Sequence, residues 1–325
     1  MNESEIRPKK IFEEYLGLAK KDAKDYFFDS EKEEVGCPAC NQKGVYAFTK
    51  DYFEYCDCLN CWTLFVNPRP VASSFNEYYK DSPSSVFWAT TFYKKTESAR
   101  REKIWKPKAK LINQKLKQFS SHSFQIVDVG GGYGIFAEEM QQYSSKPILI
   151  IEPAEHLAKV CEEKGFHVTK KFLEDVSIDD LNSNRKCFVS FELFEHLHSP
   201  ELFLKNLFSI MNSGDLFIFT TLSGLGLDIQ ILREKSPSVS PPHHLNFLNP
   251  KSVQILLENV GFVCEEVSTP GKLDIDILNN NIDQIESSFW KNFLLTSSND
   301  EKEKWQTLIS DSGRSSHMMI VCRKA

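Results

Sequence analysis

The chain has 325 residues, 41% hydrophobic and 26% charged, with a formal net charge of −6. That hydrophobic content excludes a wholly disordered polymer, and the acidic balance argues against a protein that coats nucleic acid, which needs net positive charge to release phosphate counterions. The opening MNESEIRPKK has no apolar core of signal-peptide length, and the longest apolar runs, such as ILII at 148–151, are far too short for a bilayer, so a cytoplasmic protein without membrane insertion is expected.

Residues 1–35 read as a helical extension. In 36–70, Cys37 and Cys40 are followed, after seventeen intervening residues, by Cys58 and Cys61. Two C-x2-C pairs at such a spacing present four thiolates to one tetrahedral Zn2+, a closed set with no position for water and therefore a structural role in a zinc ribbon. Cys56 is a spare thiol two residues before Cys58, whereas Cys161, Cys187, Cys264 and Cys322 lie scattered in apolar segments as core residues. Residues 71–118 form a helical linker or lid, with Phe87, Trp88, Tyr93 and Trp105 expected to pack it on the core. From Lys80 to Lys117 it holds eleven Lys or Arg against three acids, Asp81, Glu97 and Glu102, which reads as a solvated helix face or a surface for a phosphorylated substrate.

Residues 119–325 change pattern to strand, glycine turn, helix. FQIVDV (124–129) suits a strand buried on both faces, GGGYG (130–134) is the turn, and IFAEEMQQY (135–143) has helical spacing. PILIIEP (147–153), AEHLAKVCEEKG (154–165), HVTKKF (167–172), a short helix near 177–183, CFVSFELF (187–194), a helix at 201–214 and DLFIFTTL (215–222) continue the alternation. PKSVQILLENVGF (250–262) is a helix closed by Gly261, and FVCEEVST and HMMIVCRK are the last strands. Strands alternating with helices predict a doubly wound, Rossmann-like α/β sheet with ligands at its carboxyl edge.

A glycine-rich turn alone also fits a dinucleotide. Asp128, two positions before Gly130, and Glu152, closing the second strand, narrow the choice. A carboxylate at 152 can accept both ribose hydroxyls of an adenosine. An acid at 128 repels a pyrophosphate but attracts the ammonium of a methionine moiety, favouring S-adenosylmethionine (SAM) over NAD. No Y-x-x-x-K pair follows this core, which weighs against an NAD(P)-dependent sugar-nucleotide oxidoreductase.

With CPAC, CLNC, FVNPRP (65–70), DVGGGYG, IIEP, FELFEHLHSP (191–200), PPHHLNFLNPKSVQILLENVGF (241–262), TPGKLDIDIL (269–278) and SSHMMIVCRK, the chain resembles the class I SAM-dependent methyltransferases that carry an N-terminal zinc ribbon, a subgroup similar to enzymes of sugar, glycan and secondary-metabolite biosynthesis. The resemblance implies seven strands in order 3-2-1-4-5-7-6 with the last antiparallel, and SAM contacts at Asp128, Gly130, Gly132, Gly134 and Glu152, with Leu173 and Glu174 near the adenine. About 45 residues, including a helical insertion at about 271–313, separate the last two strands, where the family usually has a hairpin; they cover the site or form a dimer contact.

FELFEHLHSP leaves the fourth strand at the switch point where ligands bind, so its polar residues face the transferable methyl. A hydroxyl or carbon acid needs help to lose its proton before attacking a sulfonium methyl. His196 is the expected base, Glu195 its partner, Glu192 lies near the cofactor, and His243 or His244 meets the acceptor. The alternative, from an E-x-x-E-H pattern resembling small-RNA 2′-O-methyltransferases, is a divalent cation at Glu192, Glu195 and His196, completed by His243 or His244. His198 is expected to face solvent. The expected acceptor is a small molecule, a sugar or glycan precursor linked to a nucleotide or lipid; a zinc-ribbon RNA-binding or RNA-modifying protein is the rival from another class.

Overall fold

Every side chain of Gln125–Val129 is buried, as an apolar run without alternation requires when layers cover both faces of a sheet. In the computed structural model, which describes residues 3–119, 123–181 and 185–325, this segment is β1 at the centre of a seven-stranded sheet. The other strands are β2 (Leu149–Ile151), β3 (His167–Thr169), β4 (Lys186–Phe191), β5 (Leu216–Leu222), β6 (Phe262–Ser268) and β7 (His317–Lys324), ordered β3-β2-β1-β4-β5-β7-β6. β1 to β5 pair in parallel, and β7 runs antiparallel to both β5 and β6. The Rossmann-like order expected from the sequence is the order found.

Alternation along the strands divides the core. Val127, Val129, Phe188, Phe217 and Ile320 meet the helices Pro200–Ile210 and Pro250–Val260 on one face, and Ile126, Ile150, Val189, Ile218 and Val321 meet Lys106–Phe119 and Ile135–Gln141 on the other. Gly261 closes its helix at φ 103°, a left-handed conformation that suits glycine. The short helix expected near 177–183 is a single 3-10 turn, Ile178–Asp180; residues 182–183 of that expectation, and 120–122 of the polar stretch before β1, lie outside the described residues.

The cysteine-bearing segment is woven into this core. Its strands Val45–Lys50, Phe53–Asp57 and Leu64–Val66 form a four-stranded sheet with Asn246–Phe247, which comes from the loop after β5. Cys37, Cys58 and Cys61 share one apolar cluster with Leu256 and Leu257. The long helix Lys9–Phe27 packs its Ala23 and Phe27 on the other side of the ribbon strands. The insertion forms Asp274–Asn280, Ser288–Thr296 and Asn299–Asp311 around a separate cluster of Ile277, Leu278, Leu294 and Ile309. No helix among the described residues is long and apolar enough to cross a membrane.

Candidate active site

The turn after β1 has three glycines at positive φ, Gly130 (74°), Gly132 (55°) and Gly134 (69°), conformations that keep backbone N–H groups and carbonyls close to a ligand without a Cβ in the way. Nothing lies within 4 Å of where a Cβ on Gly132 would sit. Asp128 is 2% exposed, and its Oδ2 has no hydrogen-bond partner. Burial first, and the charge of Glu152 second, push its carboxyl up to about 7. A buried acceptor without a donor fits an incoming ammonium group.

Glu152 is also buried, accepting from Gly132 N at 2.9 Å through Oε2 and from Ala154 N at 3.0 Å through Oε1. Each oxygen keeps a second lone pair, which suits a pair of ribose hydroxyls. Leu173 is a core residue behind these strands, while Glu174 beside it is exposed.

At the end of β4, Glu192 takes φ 54°, an unusual backbone for a residue with a Cβ, and three donors hold its side chain there. Oε1 accepts from Thr220 Oγ1 at 2.7 Å and lies 2.9 Å from His317 Nε2 and 3.6 Å from Lys108 Nζ. Burial opposes ionisation, but His317 and Lys108 prevail and hold the carboxyl well below its usual range. Sequence reasoning missed Lys108, Thr220 and His317, which arrive from a helix, β5 and β7.

The next acid behaves differently. Glu195, 2% exposed, accepts from the Thr221 hydroxyl at 2.8 Å, and burial together with the Glu192 charge pushes it up to about 8. One ligand atom from each of Glu195, His196 and His244 lies within 4.8 Å of the others. Burial pushes His196 down to about 4 and His244 down to about 3, so both imidazoles are neutral at pH 7. His244 Nδ1 is 2.7 Å from the Ser238 carbonyl, which fixes the proton on Nδ1 and leaves Nε2 as a bare acceptor.

Two expected residues stand apart from this trio. Glu192 is turned toward Lys108 and His317, so the grouping Glu192, Glu195 and His196 is replaced by Glu195, His196 and His244. His243 is 6% exposed, its Nε2 lying 2.6 Å from the Tyr78 hydroxyl and 3.0 Å from that of Ser84. His198 does not face solvent freely: its Nε2 sits 3.0 Å from the Pro70 carbonyl, because the chain leaving the ribbon passes beside it.

The ribbon carries the histidine loop. Leu245 N donates to the Glu195 carbonyl at 2.7 Å, Val66 N to that of Leu245 at 3.0 Å, and Asn249 Nδ2 to that of Cys61 at 2.8 Å. In the cysteine cluster, Cys37 and Cys61 Sγ are 3.4 Å apart, and Cys40 Sγ is 3.5 Å from those of Cys58 and Cys61. With metal–sulfur bonds of about 2.3 Å, such separations suit the edges of a tetrahedron. Cys56 points away, toward the Asn67 carbonyl.

Comparison with known proteins agrees with this architecture. A family described as "Methyltransferase domain" matches residues 99–267, just over half of the chain. The structure is similar to the plantazolicin methyltransferase BpumL in complex with S-adenosylhomocysteine (SAH), at a TM-score of 0.50 and 9% identity over 77% of this chain and 93% of that one. It is also similar to a SAM-dependent methyltransferase from Archaeoglobus fulgidus (TM-score 0.45, 17% identity, 66% and 94% covered) and to magnesium protoporphyrin IX methyltransferase from Synechocystis PCC 6803 (0.47, 8%, 74% and 97%). At such identities the likeness is one of fold; no curated protein matches the chain. The family match, the sheet order, the glycine turn and the unpartnered Asp128 together make this chain a member of the class I SAM-dependent methyltransferases.

Proposed function

We propose that the enzyme moves the SAM methyl to an oxygen or carbon of a small carbohydrate acceptor, a nucleotide- or lipid-linked sugar or glycan precursor, with His196 as base. The observation that carries this reading is the neutral imidazole of His196, grouped with Glu195 and His244 where β4 and β5 end. Collinear nucleophile, methyl and sulfur are the enzyme's largest contribution, and a proton must also leave a hydroxyl or carbon acid. His196 accepts that proton, Glu195 is its acidic neighbour, and His244 meets the acceptor, while His243 anchors the loop through Tyr78 and Ser84. SAM, when bound, supplies the electrophilic methyl; Asp128 takes its ammonium and Glu152 its ribose. Cys37, Cys40, Cys58 and Cys61 hold a structural zinc ion. Nine unpaired cysteines support a cytoplasmic location.

A second reading places a divalent cation on Glu195, His196 and His244, supported by the closeness of three donors of which two are neutral imidazoles. Methyl transfer from tritiated SAM, tested on nucleotide-linked sugars and on small RNAs with and without added Mg2+ or Mn2+, separates these readings. We expect label in the sugar fraction at a rate independent of the added ion. Label confined to RNA would reject the acceptor class, and dependence on the ion would select the second reading.

A further inference from the structure

The helical run from Tyr93 to Phe119 is interrupted by a π-helical turn, Arg101–Trp105, and preceded by another, Trp88–Phe92, a geometry frequent at functional sites. Most cations with described contacts on this run are spent on acids. Arg101 bonds Glu138 and Glu139 at 2.7 Å each, Lys103 reaches Glu5 at 3.3 Å, Lys115 reaches Glu266 at 2.5 Å, and Lys106 pairs with Glu102. Arg100 and Lys108 differ. They are eight residues apart, and each is 9% exposed.

Arg100 makes no ion pair among the described residues; its guanidinium lies over the rings of Trp88 and Tyr93 at 5.9 and 5.2 Å, and its Nε has no hydrogen-bond partner. Lys108 Nζ is 3.6 Å from a carboxylate, Glu192, that already serves His317. Arg7, in the bend between the helices Glu3–Ile6 and Lys9–Phe27, also has a buried Nε without a partner, and the acid it pairs with, Glu3, is 3.8 Å away. The Arg7 guanidinium lies 5.3 Å from the Phe12 ring and that of Arg100 over Trp88; both rings adjoin Tyr15, which is 5.5 Å from His243, and Lys108 pairs with Glu192 just before the His196 turn, so the cations stand around the histidines. Burying a guanidinium without a counterion is expensive, and such a group persists where an anion joins it. SAM does not supply that balance: against one carboxylate it brings an ammonium and a sulfonium.

We propose that Arg7, Arg100 and Lys108 form an anion subsite that seats a phosphate or carboxylate of the methyl acceptor, holding the acceptor by its charged group while its nucleophile meets the methyl. This rests on the reading of the His196 side as the acceptor side, and it adds a substrate class: acceptors that carry an anionic group.

The test uses the full-length, zinc-loaded protein saturated with SAH and titrated with inorganic pyrophosphate at constant ionic strength. We expect saturable binding, weakened about tenfold or more in Arg100→Gln or, if that variant does not fold, in Lys108→Met, and unchanged in Lys110→Gln, an exposed cation on the same helix. Absence of saturable binding to the SAH complex, or equal binding by Arg100→Gln and Lys108→Met, overturns the proposal. So does loss of SAH affinity in Arg100→Gln with pyrophosphate binding only when SAH is absent, because Arg100 would then hold the methionine carboxylate. Failure of the unaltered protein to bind SAH would strike the cofactor reading instead.

Discussion

Replacing His196 with alanine lowers kcat by about 10²- to 10⁴-fold, the range for removal of a general base, while SAH affinity changes by less than about threefold. The asymmetry follows from position. His196 belongs to the short turn after β4, with Glu195 and close to His244, whereas the proposed cofactor contacts, Asp128 and Glu152, lie at the carboxyl ends of β1 and β2. The pH profile carries a second signature. Because burial holds His196 at about 4, its acid limb falls far below the usual imidazole limb near 6.5. Glu195, pushed up to about 8, gains its negative charge only as the pH rises through that value, and the charge then strengthens the neighbouring base. The rate should therefore climb between about pH 7 and 9, and Glu195→Gln should flatten the climb. A limb near 6.5, or unchanged turnover in His196→Ala, removes His196 as the base.

Stripping zinc, by chelation or through Cys58→Ser, is expected to lower the melting temperature by about 10 °C or more and to abolish acceptor turnover, with SAH binding retained. The reason is the shared sheet. Asn246–Phe247 pairs with Leu64–Val66, and the ribbon carbonyls of Cys61 and Asn60 accept from Asn249 Nδ2 and Lys251 Nζ. Once the thiolates lose their common ion, the ribbon turns lose their organising centre, and the loop of His243, His244 and Leu245 loses its edge. Among the described residues, neither the glycine turn nor Asp128 hydrogen-bonds the ribbon. Purified protein should contain one zinc per chain, released in parallel with the turnover loss; full turnover after the metal has gone would contradict this account of the ribbon.

The sheet was legible because its signals are local: apolar runs of strand length, glycines at a crossover, Gly261 after a helix and paired cysteines at ligand spacing. The same holds for the positions of Asp128 and Glu152, near the carboxyl ends of the first two strands. What escaped depends on distant partners. His317 reaches Glu192 across 125 residues because β7 enters between β5 and β6. Lys108 looks like one more cation in a basic run, and only packing against Phe191 and Trp105 turns it inward. Nothing in NFLNP announces a strand for another sheet, since two residues carry no periodicity, and the residue type of Glu192 does not announce its left-handed backbone.

The central claim is that Asp128 and Glu152 grip the two ends of one adenosyl amino acid, and calorimetry of SAH binding near pH 7 addresses it directly. Burial pushes the Asp128 carboxyl up to about 7, and an arriving ammonium favours its charged form, so binding should release a fraction of a proton and tighten as pH rises from 6 to 8. The predicted result is one saturable site, weakened about tenfold or more by Asp128→Ala, with the proton release gone. No heat of binding, or an affinity and proton count that Asp128→Ala leaves untouched, would contradict it.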